Sequence, residues 1–194
     1  KMYFKNNRTA LIFLLAMLVV APIKAQVAFG DAAKFNEDAV PAEDDSAIVR
    51  TDYDDSEWRK LSLPHDWSIE GQLSPTLASC TGYLPGGIGW YRKHFRVEDN
   101  ATRHYIYFEG DITGASYLNG HLLGRRPNGY VSFLYDMTPY LKEGDNVLAV
   151  RVDHSRYADS RWYTGSGIYR DVWLVAAPDT HIAQWGVAGM RFAD

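Results

Sequence analysis

Short runs in which apolar and polar residues alternate recur along this chain, at roughly 8–15-residue intervals with glycine-rich turns between them. No stretch repeats its apolar residues at helical spacing over the length of a helix. Such a chain can bury its apolar faces only by pairing strands and packing one sheet on another. The pattern predicts an all-β antiparallel sandwich. Strands are expected over 61–63 (ended by Pro64), 89–97, 104–109, 113–118, 130–136, 147–152, 170–175 and 182–187. Asn119-Gly120 is a two-residue hairpin signal, with 122–124 returning on its far side. The inward face of 89–97 falls on either Tyr91 or Trp90, because the alternation allows both.

Thirteen Tyr and six Trp suit strands, and they also suit sugar binding, where aromatic faces stack on pyranose rings. The formal charge of −4 argues against a nucleic-acid footprint. Cys80 is the single cysteine, so an internal disulfide is excluded. Six histidines are scattered without metal-ligand spacing, and no metal or cofactor is expected.

Lys5 and Arg8 precede an apolar run over 10–21, and Ile23-Lys24-Ala25 offers a small residue at a cleavage point. This is the order of a secretory signal peptide, which predicts residues 1–25 as a leader and an exported, periplasmic or extracellular protein. The apolar run is too short for a stable membrane span, which needs about 20 residues. Residues 26–52 are Ala-, Asp- and Glu-rich with little periodicity and are expected to be poorly structured.

Two loops stand out. Residues 71–89 are long and rich in Pro and Gly, which points to function or a partner surface. Trp162-Tyr163-Thr164-Gly165-Ser166-Gly167-Ile168-Tyr169-Arg170 is a Gly/Ser turn carrying aromatics. Asp153, His154, Arg156, Asp159 and Arg161 crowd polar groups just upstream. A polar, aromatic-flanked loop on a rigid strand is a common way to present a binding surface, and a tight hairpin with packed aromatics is the alternative. His65-Asp66-Trp67 invites an acid–base reading, but neighbours on an extended chain point to opposite faces. The stronger expectation is a structural Asp66 that holds a loop, with Trp67 buried. No phosphate loop, zinc-protease helix or serine elbow is present.

Four motifs occur in order: Leu63-Pro64-His65-Asp66-Trp67-Ser68-Ile69-Glu70-Gly71, Gly86-Gly87-Ile88-Gly89-Trp90-Tyr91-Arg92, Tyr117-Leu118-Asn119-Gly120 and Arg161-Trp162-Tyr163-Thr164-Gly165-Ser166-Gly167-Ile168-Tyr169-Arg170. Together they resemble the N-terminal sugar-binding domain of glycoside hydrolase family 2, especially exported bacterial β-galactosidase-like members. The resemblance covers residues 53–178 and implies a jelly-roll β-sandwich. It also implies that residues 179–194 begin an immunoglobulin-like domain, followed by a (β/α)₈ barrel with two catalytic glutamates. Retaining glycosidases need two carboxyls about 5–5.5 Å apart, and no catalytic motif of the family occurs in this chain.

By the same resemblance, Asp159 corresponds to the acidic residue that reaches the nonreducing-end sugar, with Arg161 and Trp162 beside it as substrate-binding residues. This chain carries one more residue between Trp162 and Ser166 than some galactosidases do. The alternative is a surface ion pair between Asp159 and Arg161. Arg170 and Asp171 are expected to pair and anchor the loop. The implied partners are a β-linked sugar or oligosaccharide, the downstream domains, and a second copy if the enzyme is a homo-oligomer. β-Galactosidase is the first expectation, with β-glucuronidase and β-mannosidase sharing the domain. A free-standing carbohydrate-binding module, or a structural sandwich without catalysis, is the competing class.

Overall fold

A computed structural model of the chain describes residues 46–77, 82–97, 103–110, 114–155 and 162–186, and the backbone of 25–28 and 33–36. Residues 1–24 of the proposed leader peptide, Cys80, Asp159 and Arg161 lie outside the described residues.

Among the described residues the strands are β1 (Ala25–Ala28), β2 (Ala33–Asn36), β3 (Arg59–Leu61), β4 (Gly87–Arg96), β5 (Arg103–Phe108), β6 (Gly114–Leu118), β7 (His121–Arg126), β8 (Phe133–Asp136), β9 (Asp145–His154) and β10 (Val172–Ala177). They form a four-stranded sheet in the order β1-β10-β5-β8 and a six-stranded sheet in the order β3-β2-β4-β9-β6-β7. Every pairing is antiparallel. The architecture is the antiparallel β-sandwich that the alternation demands.

The core lies between the two sheets. Ile106 and Phe108 of β5, Val172 of β10 and Phe133 of β8 face Tyr91 of β4, Leu148, Val150 and Val152 of β9, and Leu118 of β6. Each such side chain stabilises the fold by about 1.5–3 kcal/mol through removal from water. Phe108 and Phe133 stack across adjacent strands at 4.8 Å between ring centroids. Asn119 and Gly120 both take positive φ, 52° and 86°, which the twist of a two-residue hairpin requires.

The central strands β4, β9 and β6 of the six-stranded sheet are covered on both faces, which resolves the ambiguity of β4. Tyr91 points into the sandwich, while Trp90 packs on the outer face with Ala115, Tyr117 and Ala149 under a cap of Ile48, Val49 and Trp58. The segment 26–52, expected to be poorly structured, supplies Ile48 and Val49 of this cap, all of β2 and all but the first residue of β1. β1 pairs with β10, and β2 inserts between β3 and β4. An edge strand offers unpaired N–H and C=O groups to any neighbouring backbone, so pairing there needs no apolar periodicity. Two further expectations differ from the fold. Residues 182–186 are not a strand: the chain turns back after β10, and Trp185 packs edge-on against Tyr107 at 5.9 Å. Arg170 does not pair with Asp171; its guanidinium reaches the Glu109 carbonyl at 3.3 Å and lies over the Tyr169 ring.

Candidate functional site

The pairing registers place several loops at one end of the sandwich. Gly87 of β4 lies opposite His154 of β9, and Gly114 of β6 lies opposite Val152 of β9 and Arg126 of β7. In the other sheet Phe108 of β5 lies opposite Val172 of β10 and Phe133 of β8. The connections 109–113, 127–132 and 155–171 each cross between the sheets from those same strand ends. With Gly86, which enters β4 there, the described residues of these connections form one loop cluster. The 162–171 loop sits within it.

A short backbone ladder docks this loop on the His65-Asp66-Trp67 segment. His65 N donates to Ile168 O at 2.8 Å, and Trp67 N donates to Ser166 O at 2.9 Å. Two glycines make so close an approach possible. Gly167 has φ +136°, and a Cβ there would lie 2.4 Å from the His65 carbonyl oxygen; Gly165 has φ +70°, and a Cβ there would lie 2.7 Å from Asp66 Oδ2.

Asp66 fastens the loop with its side chain. Oδ1 accepts from Ser68 N at 3.0 Å and from Ser166 N at 2.8 Å, and Oδ2 accepts from Tyr163 Oη at 2.5 Å. Burial and the neighbouring Asp66 carboxylate push the Tyr163 phenol upward, so it stays a neutral donor. Behind the loop, Ser166 Oγ bonds His154 Nδ1 at 2.6 Å and Ser68 Oγ at 2.5 Å, and His154 Nε2 meets Thr164 Oγ1 at 3.1 Å. Burial lowers the His154 pKa, so the ring is neutral at pH 7. Trp67 is buried and donates from its indole to the Gly86 carbonyl at 3.3 Å, which ties the 71–86 loop to the same hub.

Asp66 is thus the structural carboxylate that the sequence suggested, and His65 is not its acid–base partner. The His65 ring turns away to Tyr91 Oη at 2.8 Å and Arg59 at 2.9 Å. Burial lowers its pKa, against the opposing pull of Glu70.

Trp162, the one described member of the expected substrate-binding set, is 65% exposed, and Tyr163 beside it is 42% exposed. The residues that follow this exposed indole are bonded to His154 at the end of β9 and to Asp66, and an exposed aromatic face is a surface of the kind sugar rings can stack on. The roles of Ser166, Ser68 and His154 escaped the sequence reading. Ser68 and Ser166 stand 98 residues apart, and only the doubled glycines hinted at the close packing. Among the described residues no group of three or more His, Cys, Asp or Glu side chains could hold a metal ion. No helix among them is long and apolar enough to cross a membrane.

Comparison with known proteins gives this site its class. Residues 34–178 match the family model described as glycosyl hydrolases family 2, sugar binding domain, and the chain belongs to that family. It is 51% identical over 138 residues to the β-galactosidase BoGH2A of Bacteroides ovatus, an alignment covering 68% of this chain and 16% of that enzyme. It is 32% identical over 152 residues to a β-glucuronidase of Formosa agariphila, covering 67% and 15% of the two chains. The crystal structure of a β-glycosidase from Bacteroides vulgatus superposes with a TM-score of 0.75 at 45% identity, covering 82% of this chain and 21% of that one. The chain therefore spans less than a quarter of the length of each of these relatives.

Proposed function

We propose that this chain is the sugar-binding domain of an exported, retaining exo-β-glycosidase, with β-galactosides as its substrates. In this reading the loop cluster meets the nonreducing-end sugar, with Asp159 and Arg161 offering polar contacts and Trp162 a stacking face. The two catalytic carboxyls would come from a barrel domain elsewhere in the same protein, preceded by an immunoglobulin-like domain that begins near residue 179. A signal peptide over residues 1–25 would direct export.

The observation that carries the reading is the 51% identity to a β-galactosidase across the same domain, with the 162–170 loop docked by Asp66. Galactoside is favoured over glucuronide because the relative at 51% identity is named for galactosidase activity, whereas relatives named as glucuronidases or putative glucuronidases stand at 42% and below.

The test is to express the full-length protein and assay it on nitrophenyl β-galactoside, β-glucuronide and β-mannoside. The highest kcat/KM is expected on the galactoside. Turnover of the glucuronide alone would overturn the specificity. A full-length protein inactive on all three would overturn the hydrolase reading, leaving sugar binding by Trp162 and Tyr163 as the function to measure.

A further inference from the structure

We infer that Asp66 is a positioning residue for sugar recognition: by gripping Tyr163 Oη and the Ser166 amide it sets the orientation of Trp162 at the loop end of the sandwich. This inference rests on the reading proposed above and extends it to a residue that touches no sugar itself.

The grip is specific in three ways. First, the carboxylate spans a large separation in sequence, 97 residues to Tyr163 and 100 to Ser166, and adds side-chain bonds to the two backbone bonds that dock these segments. Second, the three donors to it are neutral: two amides and a phenol. A carboxylate accepting such bonds is oriented by all of them at once, because each oxygen has its own fixed partner. Third, Gly165 brings the loop backbone against Oδ2 so closely that a Cβ would lie 2.7 Å away. Tyr163 therefore has its ring held at its tip by Asp66 and its chain held three residues later by the Ser166 amide. Trp162 is joined directly to Tyr163 and is 65% exposed, so the grip on Tyr163 positions the backbone from which the indole projects.

A residue of this kind acts on binding more than on bond cleavage. Loss of contacts equal in ground state and transition state raises KM and leaves kcat in place. The alternative role, pure support of the fold, would lower stability with no selective effect on KM.

The experiment uses the full-length protein in wild-type form and as Asp66→Ala, Asp66→Asn, Tyr163→Phe and the Asp66→Ala/Tyr163→Phe double variant. Kinetics on nitrophenyl β-galactoside are read beside amide hydrogen exchange. Asp66→Ala is expected to raise KM about tenfold with kcat within about twofold, and to deprotect the Ser166 amide while those of Phe108 and Val150 stay protected. Asp66→Asn restores most of the KM, because its carbonyl still accepts the two amides. Tyr163→Phe raises KM less, and its effect does not add to that of Asp66→Ala. Should Asp66→Ala fail to fold, Tyr163→Phe decides: an increased KM supports the inference and an unchanged KM overturns it.

Deprotection of Ser166 with an unchanged KM would also overturn it, leaving Asp66 a support of the fold only. So would deprotection that spreads to Phe108 and Val150. A wild-type protein inactive on every glycoside would overturn the glycosidase reading and this inference together; an active wild type with unaffected variants overturns this inference alone.

Discussion

Arg92 and Asp55 form a buried ion pair, Nε to Oδ2 at 2.7 Å, that joins the outer face of β4 to the segment covering it. Arg92 is fully buried and also donates to the carbonyls of Ile48 and Arg50, while Asp55 accepts from His94 at 2.8 Å. Trp90, two residues earlier on the same face, is sealed under Ile48 and Trp58. Removing one partner of such a pair strands a charge out of water, at a cost of about 3–5 kcal/mol. Asp55→Ala is therefore expected to lower the urea midpoint by that much stability, with an unchanged slope of the transition. A loss below about 1 kcal/mol would show that the 46–58 cap is not held by this pair.

Gly167 and Gly144 both take positive φ but differ in their surroundings. Gly144 opens onto free space at φ +83°, whereas a Cβ on Gly167 would meet the His65 carbonyl oxygen at 2.4 Å and Tyr91 Oη at 2.7 Å. Gly144→Ala is expected to cost about 1 kcal/mol, from the left-handed backbone alone. Gly167→Ala should cost at least about 3 kcal/mol, because backbone must shift as well. Thermal unfolding of the two variants checks the difference, and equal costs would refute the tight docking of the loop on His65.

Asn119 and Asn146 close the opposite end of the six-stranded sheet. Asn119 Nδ2 donates to Asn146 Oδ1 and to the Tyr140 carbonyl, each at 2.8 Å, and Asn146 bonds the backbone of Lys142 and Gly144. Asn146 is fully buried, so Asn146→Ala leaves several backbone groups unsatisfied. A loss of about 2–4 kcal/mol in chemical denaturation is expected, and Asn119→Ala should be sub-additive with it.

The fold was legible where a side-chain pattern dictates it. The alternation in Val147-Leu148-Ala149-Val150-Arg151-Val152 and in His104-Tyr105-Ile106-Tyr107-Phe108 corresponds to β9 and β5, and Asn119-Gly120 is the hairpin it signalled. What backbone pairing contributes was hidden: β1 and β2 are four residues each, too short for an alternating pattern to stand out, and pairing with β10 and β4 holds them. The buried Arg92 was equally unreadable, since its satisfaction depends on carbonyls 42 and 44 residues away. At the site, Asp66 as a loop holder could be read from its neighbours, but Ser166, Ser68 and His154 meet only through the fold.

Two histidines, the buried His65 and the half-buried His154, set the acid side of stability. Burial lowers the pKa values of His65 and His154 in the folded chain below the unfolded value of about 6.5. The unfolded chain then binds more protons in that window, so the stability they contribute is present above pH ~6.5 and is lost as pH falls toward the folded values. Asp153 adds a later phase. Burial alone would raise its pKa, but bonds from Ser155 and Arg151 hold it lowered, so its contribution is lost only as pH falls through the carboxylate range. Tm is expected to fall steadily from pH 7 to pH 5.5, and His65→Gln should flatten part of that fall. A Tm that is constant or rising over this range would contradict the burial of neutral imidazoles.

In the proposed function, Asp159 and Trp162 contact the substrate sugar of a β-glycosidase. The most direct measurement is steady-state kinetics of the full-length protein on nitrophenyl β-galactoside as Asp159→Asn and as Trp162→Ala, with Tm taken alongside. The account predicts that each variant keeps the wild-type Tm within about 2 °C and loses at least about tenfold in kcat/KM, a change of about 1.4 kcal/mol in transition-state binding. Unchanged kcat/KM in both variants, at wild-type Tm, would contradict it.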